Sequence, residues 1–406
     1  MSHHGGVLRR SAVLLPAVCL VLTGCVRLEA PAAESALAGA TEPALRSMAP
    51  PADAAAARLE PECPPADPDQ PLTADDMNEA FLDLDLPDWK QADVGTSAVL
   101  SDGRVVWVWG DTVREADADP RMADNSILVS SGTCISQLVT PDRGPVLPPD
   151  PDELSVWPLS AVRVDPRPGD ADDVTDVLIV FCSRVQREDG QFDFIERGSS
   201  VAVYTVGADG VPRLTESADL TLDDPNLGAI HWGAASAVDG DWVYVYGTRS
   251  TGEAYVYGRE LYVARMQVTE VMDGTTMEYW DGTSWTDDRS RTAAVLGAVD
   301  GVSQRLSVDL IDGRWVAFSK FGGDFGDVAA VWTSDRPTGP FTAEPVLDAP
   351  FGADTGVLQY MPLAHPDVPT EPGTMLVSVS RNLTEFFTLL KRPELALPLF
   401  SQIPRP

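Results

Sequence analysis

The chain has 406 residues, of which 44% are hydrophobic and 22% charged, a composition that excludes a disordered tail, a collagen-like chain and a coiled coil. Its 29 lysines and arginines against 62 aspartates and glutamates give a formal net charge of −33 at pH 7. Because this charge repels phosphate-bearing surfaces, we expect no nucleic acid partner and no direct binding to an anionic membrane surface.

The first 24 residues have the layout of an export signal. Arg9 and Arg10 precede an apolar run of about a dozen residues, which is too short to span a bilayer. The run ends in Leu22-Thr-Gly-Cys25, which resembles the bacterial lipobox, where a diacylglyceryl group is attached to the cysteine. We predict a signal peptide over residues 1–24, lipidation of Cys25 and a position on the extracytoplasmic face of the cell membrane. The alternative is an ordinary signal peptide with a chance cysteine.

Residues 25–72 are rich in alanine, proline and acidic side chains, a composition that does not bury a core. We therefore predict a flexible tether there, followed by a folded domain over residues 73–406. Three cysteines remain after cleavage, at Cys63, Cys134 and Cys182, which predicts one disulfide and one free thiol in an exported protein. Connectivity cannot be deduced from sequence, and we favour Cys134–Cys182 because both residues lie inside the predicted domain. No cysteine spacing indicates a metal, and no metal site is predicted.

The residues after the tether have the pattern of repeated β-hairpins. Tight hairpin turns need a positive φ, which the glycine of an Asp-Gly pair supplies. Eight such pairs occur in the domain, beginning at Asp102, Asp189, Asp209, Asp239, Asp273, Asp281, Asp300 and Asp312. The flanking runs, such as 105–109, 177–181 and 242–246, are rich in β-branched and aromatic residues and are apolar on both faces. This pattern predicts strands that pack between sheets.

A weak internal repeat appears when these runs are stacked. The segments 96–109, 157–181, 231–246, 306–318 and 360–379 each have a short strand of small residues, a turn and a strongly apolar strand. Five copies in about 320 residues leave about 64 residues for each, enough for a four-stranded blade with its loops. We therefore predict an all-β fold, a five-bladed β-propeller. A pair of β-sandwiches is the alternative, and it explains the hairpins but not the fivefold pattern.

Two aspartates flank the first predicted hairpin. If residues 101–103 form a three-residue loop, Leu100 pairs with Arg104, and the same register puts Asp93 opposite Asp111. Opposed Cβ atoms lie about 5 Å apart, so the carboxyl groups can reach separations at which paired acids cleave glycosidic bonds. Mutual repulsion raises one pKa and leaves the other group ionised. A two-residue loop would put the acids on opposite faces. A further alternative is structural, with the two aspartates bonded to nearby backbone amides.

Several motifs resemble those of a known family. They are Asp93-Val-Gly, Val106-Trp-Val-Trp-Gly-Asp-Thr, Asn125-Ser, Trp157-Pro and Tyr279-Trp-Asp-Gly, and they look like the secreted actinobacterial propellers of domain-of-unknown-function family 4185 (DUF4185). Some members of that family are endo-acting D-arabinan hydrolases of glycoside hydrolase family 183. The resemblance implies Asp93 and Asp111 as the acidic pair. The chain departs from the arabinanase-like propellers of families 43 and 62, because His231-Trp-Gly offers no glutamate at the inner strand of the third blade.

Sugar rings bind to flat aromatic faces beside hydrogen-bonding groups. The predicted blade starts offer Trp157, His231, Trp232 and Tyr360 for substrate binding, and for each the alternative is packing between blades. Asp309, on the inner strand of the fourth blade, is the one additional acid that could point into the channel. Its alternative role is to anchor a neighbouring strand.

We therefore predict a surface-anchored glycoside hydrolase, endo-acting on a D-arabinan-containing polysaccharide through Asp93 and Asp111. The alternative is a propeller lipoprotein that binds a glycan or a protein and catalyses nothing. No nucleotide or cofactor motif occurs, so no cofactor is expected. The expected partners are a polysaccharide and, through the lipid anchor only, the membrane. We expect a monomer.

Overall fold

The computed structural model of the chain describes residues 45–65, 70–188, 193–226 and 228–406. The predicted signal peptide, Cys25 and the first part of the predicted tether lie outside these ranges. Among the helices within them, none has the length and apolar character needed to cross a membrane.

The first sheet collects strands from the beginning of the chain. In chain order the elements are β1 (Ser47–Met48), β2 (Arg58–Glu60), helix α1 (Ala74–Leu82), β3 (Gln91–Ala92), β4 (Thr96–Val99), β5 (Val105–Trp109), β6 (Thr112–Val113), β7 (Met122–Ala123), β8 (Ser126–Ser131) and β9 (Cys134–Val139). The first sheet has the order β4-β5-β8-β9-β2, and β3, β6 and β7 form a small sheet beside it. Helix α1 begins after Thr73, whose side chain accepts a hydrogen bond from the Asp76 N–H in a capping box.

Four more antiparallel sheets follow along the chain. The second sheet contains β10 (Ser155–Val164), β11 (Val174–Arg187), β12 (Phe194–Gly207) and β13 (Pro212–Asp219), with β1 at its edge. The third sheet contains β14 (His231–Asp239), β15 (Trp242–Arg249), β16 (Glu260–Gln267), β17 (Glu278–Trp280) and β18 (Trp285–Thr286). The fourth contains β19 (Ser307–Ile311), β20 (Arg314–Lys320), β21 (Val328–Ser334) and β22 (Thr342–Asp348), and the fifth β23 (Val357–His365), β24 (Thr374–Leu383) and β25 (Leu399–Pro404), with helix α2 (Phe386–Lys391) before β25. Short 3₁₀ turns occur at Ala54–Ala56, Val268–Glu270, Gly274–Thr276, Arg289–Arg291 and Pro393–Ala396.

The sheets are arranged in a closed cycle. The first strand of each sheet contacts the first strand of the next, from β4 to β10, β14, β19 and β23, and β23 contacts β4 again. Apolar clusters fill the spaces between neighbouring sheets. Runs such as 105–109 and 177–181 are buried throughout because each sheet is covered on both faces. The prediction of an all-β fold of antiparallel hairpins is confirmed.

The part of the predicted tether that the structure describes is paired with two of the sheets. Strand β1 pairs with β13 of the second sheet, and β2 pairs with β9 of the first. Arg46 adds ion pairs of 2.7 Å to Asp219 and 2.6 Å to Asp152. The outermost strand of a sheet offers unpaired backbone groups, and a short segment of almost any composition can satisfy them. Residues 45–65, which we name the N-terminal strap, therefore fasten the outer edges of two neighbouring sheets.

The disulfide joins the N-terminal strap to the first sheet. Cys63 is bonded to Cys134, the first residue of β9, with the two Cα atoms 5.7 Å apart. The predicted pair Cys134–Cys182 is wrong. Cys182 is a free thiol, fully buried in the apolar cluster between the first and second sheets. The prediction fails because the residues around Cys63 have the composition of a tether, whereas strand pairing at the sheet edge holds this segment in place.

The first and fifth sheets share no strand, and polar side chains join them. His365 Nδ1 lies 2.7 Å from the Ser97 hydroxyl, and its Nε2 lies 2.8 Å from the Ser378 hydroxyl. Burial lowers the pKa of His365 to about 3, so the ring is neutral at physiological pH. The Val94 N–H donates to the Ser380 hydroxyl at 2.9 Å. We call this contact between β4 and β23 the seam.

Candidate active site

Asp93 and Asp111 lie opposite each other, in the register that the hairpin sequence predicts. Gly103 takes a φ of 86°, and its N–H bonds to the Leu100 carbonyl, which closes the three-residue loop. Leu100 in turn donates to the Arg104 carbonyl at 2.8 Å. The β4–β5 register continues into β3 and β6 without a net shift. The Asp93 N–H therefore meets the Asp111 carbonyl, at 3.3 Å.

The carboxyl group of Asp93 occupies space that a glycine leaves free. A Cβ on Gly110 would lie 2.8 Å from Asp93 Oδ1. The Tyr360 hydroxyl donates to Asp93 Oδ2 at 2.8 Å. Burial raises the pKa of Asp93 above its ordinary value, although the positive charge of Arg305 and the Tyr360 hydrogen bond act in the opposite direction.

Asp111 is held by an arginine from the second sheet. Arg187 Nη2 donates to Asp111 Oδ1 at 2.5 Å and to Asp124 Oδ1 at 2.6 Å. Burial raises the pKa of Asp111 to about 7; the Arg187 charge opposes this, and the charges of Asp93 and Asp124 add to it. The Asp111 side chain nevertheless keeps 24% of its surface exposed, so a ligand can reach it. Since the two carboxyl groups interact, they titrate as a coupled pair, in which both pKa values are raised and that of Asp111 is about 7.

Trp157 lies between two arginines at the same site. The guanidinium carbon of Arg187 is 5.1 Å from the centre of the indole ring, and that of Arg305 is 5.6 Å from it. Arg305 is only 4% exposed, and among the described residues its side chain makes one hydrogen bond, of 3.3 Å to the Pro158 carbonyl. Trp157 thus lies beside Arg187, the residue that binds Asp111.

A second acidic group is present and remains ionised. Glu196 Oε2 lies 3.0 Å from His231 Nδ1, and its Oε1 accepts from Gln304 Nε2 at 2.9 Å. Burial acts to raise the pKa of Glu196, but the interactions of its carboxylate with His231, Arg259, Arg305 and Gln304 outweigh burial, and the pKa falls below its ordinary value. His231 is therefore connected to the site by its contact with Glu196.

Two residues predicted for substrate binding lie elsewhere. Trp232 belongs to the apolar cluster between the second and third sheets, with its ring 5.5 Å from that of Tyr279. Asp309 lies near the turn that ends β19, and its charged neighbours are Asp367 and Arg405. Burial raises the pKa of Asp309 well above its ordinary value. The structure brings neither residue to the acidic pair: Trp232 faces a sheet interface, and Asp309 is the third residue of β19, close to the turn that follows it. A role for either residue in substrate binding stays a prediction.

Four residues of the site do not appear among the predicted ones: Asp124, Arg187, Glu196 and Arg305. Arg187 ends β11, and Arg305 precedes β19 by two residues. Both arginines therefore lie at strand ends on the rim that carries Asp93. A search of the sequence for every polar residue at an equivalent hairpin end includes them. No group of three or more potential metal ligands occurs within the described ranges.

Comparison with known proteins places the fold among characterised structures. No curated protein matches the sequence. A putative hydrolase from Bacteroides ovatus is similar, with a TM-score of 0.59 and 17% identity over 86% of this chain and 94% of that one. This likeness shows a shared fold.

Two further similar structures are more distant. A family 43 arabinoxylan arabinofuranohydrolase from Bacillus subtilis has a TM-score of 0.45 and 12% identity, over 80% of this chain and 65% of that one. A GH43 enzyme from Xanthomonas citri complexed with xylotriose has a TM-score of 0.41 and 16% identity, over 82% of this chain and 93% of that one. Both lie below the similarity at which a shared architecture can be argued.

The family is shown by its sequence profile. The profile described as "Domain of unknown function (DUF5005)" matches residues 77–403, which is nearly the whole folded part of the chain. It is not the profile of the family that the motifs resemble, so the likeness to family 4185 stays an expectation. The chain belongs to the DUF5005 family.

Proposed function

We propose that this protein is a glycoside hydrolase that cleaves a polysaccharide with Asp93 and Asp111, at one rim of a five-bladed β-propeller. The observation that carries the proposal is the pair of carboxyl groups opposed across one hairpin, both with a raised pKa. The closed cycle of five sheets supports the interpretation of each sheet as a blade.

The chemistry requires one proton and one free carboxylate. Cleavage of a glycosidic bond needs an acid that protonates the leaving oxygen, and a carboxylate that activates water or attacks the anomeric carbon. A coupled pair in which one carboxyl group has a pKa of about 7 supplies both, because loss of the first proton makes loss of the second less favourable. We assign the proton to the pair of Asp93 and Asp111 and not to either residue alone.

The surrounding groups fit a sugar ligand. The indole ring of Trp157 lies beside Arg187, the Tyr360 hydroxyl bonds to Asp93, and the His231 ring lies beside Glu196. We propose these three side chains for substrate binding. A D-arabinan as the substrate rests on the motif likeness to family 4185 alone. A lipid-anchored position outside the cell membrane rests on the N-terminal sequence that ends in Cys25.

The test is the release of oligoarabinosides from mycobacterial arabinogalactan by a chain that begins at Leu45 and so retains the N-terminal strap. We expect Asp93→Asn and Asp111→Asn to lower the rate by about 10³-fold or more while circular dichroism stays unchanged. Asp309→Asn is the matched control, since it removes another buried carboxyl group with a raised pKa, away from the site.

Equal activity of the two site variants and the unmodified chain would refute the proposal. No product from the unmodified chain, with retained binding to the polysaccharide, would favour the non-catalytic propeller instead.

A further inference from the structure

Three neighbouring aromatic side chains lie on loops of the third, fourth and fifth sheets, two of them exposed and the third partly buried. Tyr257 and Phe325 have ring centres 5.2 Å apart, and Phe325 and Phe351 have theirs 4.9 Å apart. Tyr257 is 58% exposed and Phe325 41%. Contiguous exposed aromatic surface on a soluble domain is typical of a binding site. We name Tyr257, Phe325 and Phe351 the aromatic row.

The loops that carry the aromatic row are packed closely against each other. A Cβ on Gly323 would lie 2.2 Å from the Tyr257 carbonyl oxygen, and a Cβ on Gly258 would lie 2.3 Å from that of Ala298. Only glycine permits backbones to approach this closely. The rings are therefore presented by a fixed surface, which lowers the entropy cost of binding a ligand.

A buried lysine fixes the loop that carries Phe325 and joins it to β23. Lys320 Nζ donates to the carbonyl oxygens of Asp324, Gly326 and Gln359 at 3.2, 2.8 and 2.6 Å. The same nitrogen lies 5.7 Å from the centre of the Phe351 ring. The Gln359 N–H donates in turn to the Phe351 carbonyl at 2.9 Å.

Hydrogen bonds connect the loop that carries Phe325 to the candidate site. The Asp324 carboxylate, adjacent to Phe325, accepts from the Gln304 N–H at 3.1 Å and from the Met361 N–H at 3.0 Å. Gln304 also binds Glu196, and Met361 follows Tyr360, which binds Asp93. One carboxylate thus connects the loop of the row to both acidic parts of the candidate site.

We propose that the aromatic row binds a neutral glycan chain, at sugar units other than the two that flank the bond cleaved by Asp93 and Asp111. The inference rests on the proposed function, which it extends from a cleavage site to an elongated binding surface. The net charge of −33 disfavours acidic polymers and anionic lipid surfaces, whereas the apolar C–H faces of a neutral sugar stack on aromatic rings. Such a surface favours long substrates over short ones.

The experiment compares Tyr257→Ala and Phe325→Ala with Phe387→Ala. Phe387 is 74% exposed on α2, where its aromatic neighbour is Phe386, so it controls for the loss of any exposed ring. The probe is soluble mycobacterial arabinogalactan in affinity electrophoresis, with Asp111→Asn present in every variant to prevent hydrolysis. We expect each substitution in the row to weaken retention by about tenfold and Phe387→Ala to leave it unchanged.

A second measurement uses the active chain and separates long from short substrates. We expect Tyr257→Ala to lower kcat/KM on the polysaccharide and to leave kcat/KM on the shortest cleaved arabino-oligosaccharide unchanged. An equal loss on both, or unchanged retention of the polysaccharide by correctly folded row variants, would overturn the inference. If the unmodified chain cleaves nothing, the proposed function fails, and the retention measurement still decides whether the aromatic row binds glycan.

Discussion

The Tyr360 hydroxyl donates a 2.8 Å hydrogen bond to Asp93 Oδ2, although 267 residues separate the two along the chain. The bond crosses the seam from the fifth sheet to the first. A hydroxyl that donates to a carboxylate favours the ionised form and so lowers its pKa. Tyr360 therefore acts on the protonation of the acidic pair, and this action can be measured.

Tyr360→Phe removes that donor and keeps the ring. We expect the pKa of the acidic pair to rise, so the acidic limb of the kcat/KM profile moves to higher pH, and the rate at pH 6 falls by about tenfold. The measurement is kcat/KM against pH. Tyr246→Phe is the control, because it also deletes a buried hydroxyl, one that donates to the Pro337 carbonyl away from the site. A uniform loss of rate without a shift would contradict the assignment.

Arg187→Gln tests the other member of the pair. Arg187 opposes the raised pKa of Asp111, so its loss should raise that pKa above about 7 and move the acidic limb to higher pH. Arg187→Lys keeps the charge but not the planar fork that reaches both Asp111 and Asp124, and we expect a smaller shift. If both variants leave the profile in place, Arg187 does not set the protonation of Asp111.

Asp111→Asn should change how stability depends on pH. The folded chain raises the pKa of Asp111 from 3.8 to about 7, so between these values the folded state binds more protons than the unfolded state. The unmodified chain therefore loses stability as the pH rises through this range, by at most about 4 kcal/mol. Asp111→Asn lacks this loss, so its stability relative to the unmodified chain should rise from pH 4 to pH 8. Urea unfolding at both pH values measures it, and a constant difference would refute the raised pKa.

The disulfide should stabilise the domain through the N-terminal strap. We expect the double variant Cys63→Ser and Cys134→Ser to lose about 2–4 kcal/mol of unfolding free energy, since the unfolded chain gains freedom. A reducing agent should destabilise the unmodified chain and leave the variant unaffected. Burial raises the pKa of Cys182, so a thiol reagent should not label it in either folded protein. Rapid labelling of Cys182 would show that the interface between the first and second sheets opens.

Local chemistry explains what the sequence predicts correctly. The turn at Gly103 sets the register of its own hairpin, so the opposition of Asp93 and Asp111 follows from neighbouring residues alone. Arg187 and Arg305 belong to other parts of the chain, so their positions beside Asp93 and Asp111 depend on how the sheets pack. The Cys63–Cys134 bond depends likewise on which edge the N-terminal strap joins. Trp157 and Trp232 both lie near the start of the first strand of a sheet. Only the packing of neighbouring sheets places the first beside Arg187 and the second against Tyr279.

The seam has a consequence for how the protein is made. Asp93 comes from the beginning of the domain, whereas Tyr360 and Ser380, which hold Asp93 and Val94, are synthesised nearly 300 residues later. During synthesis the acidic pair therefore exists in a nascent chain without the donors that complete it. We expect the proposed activity to appear only after the last sheet has been synthesised and has packed against the first. Catalysis therefore requires that the whole domain has folded.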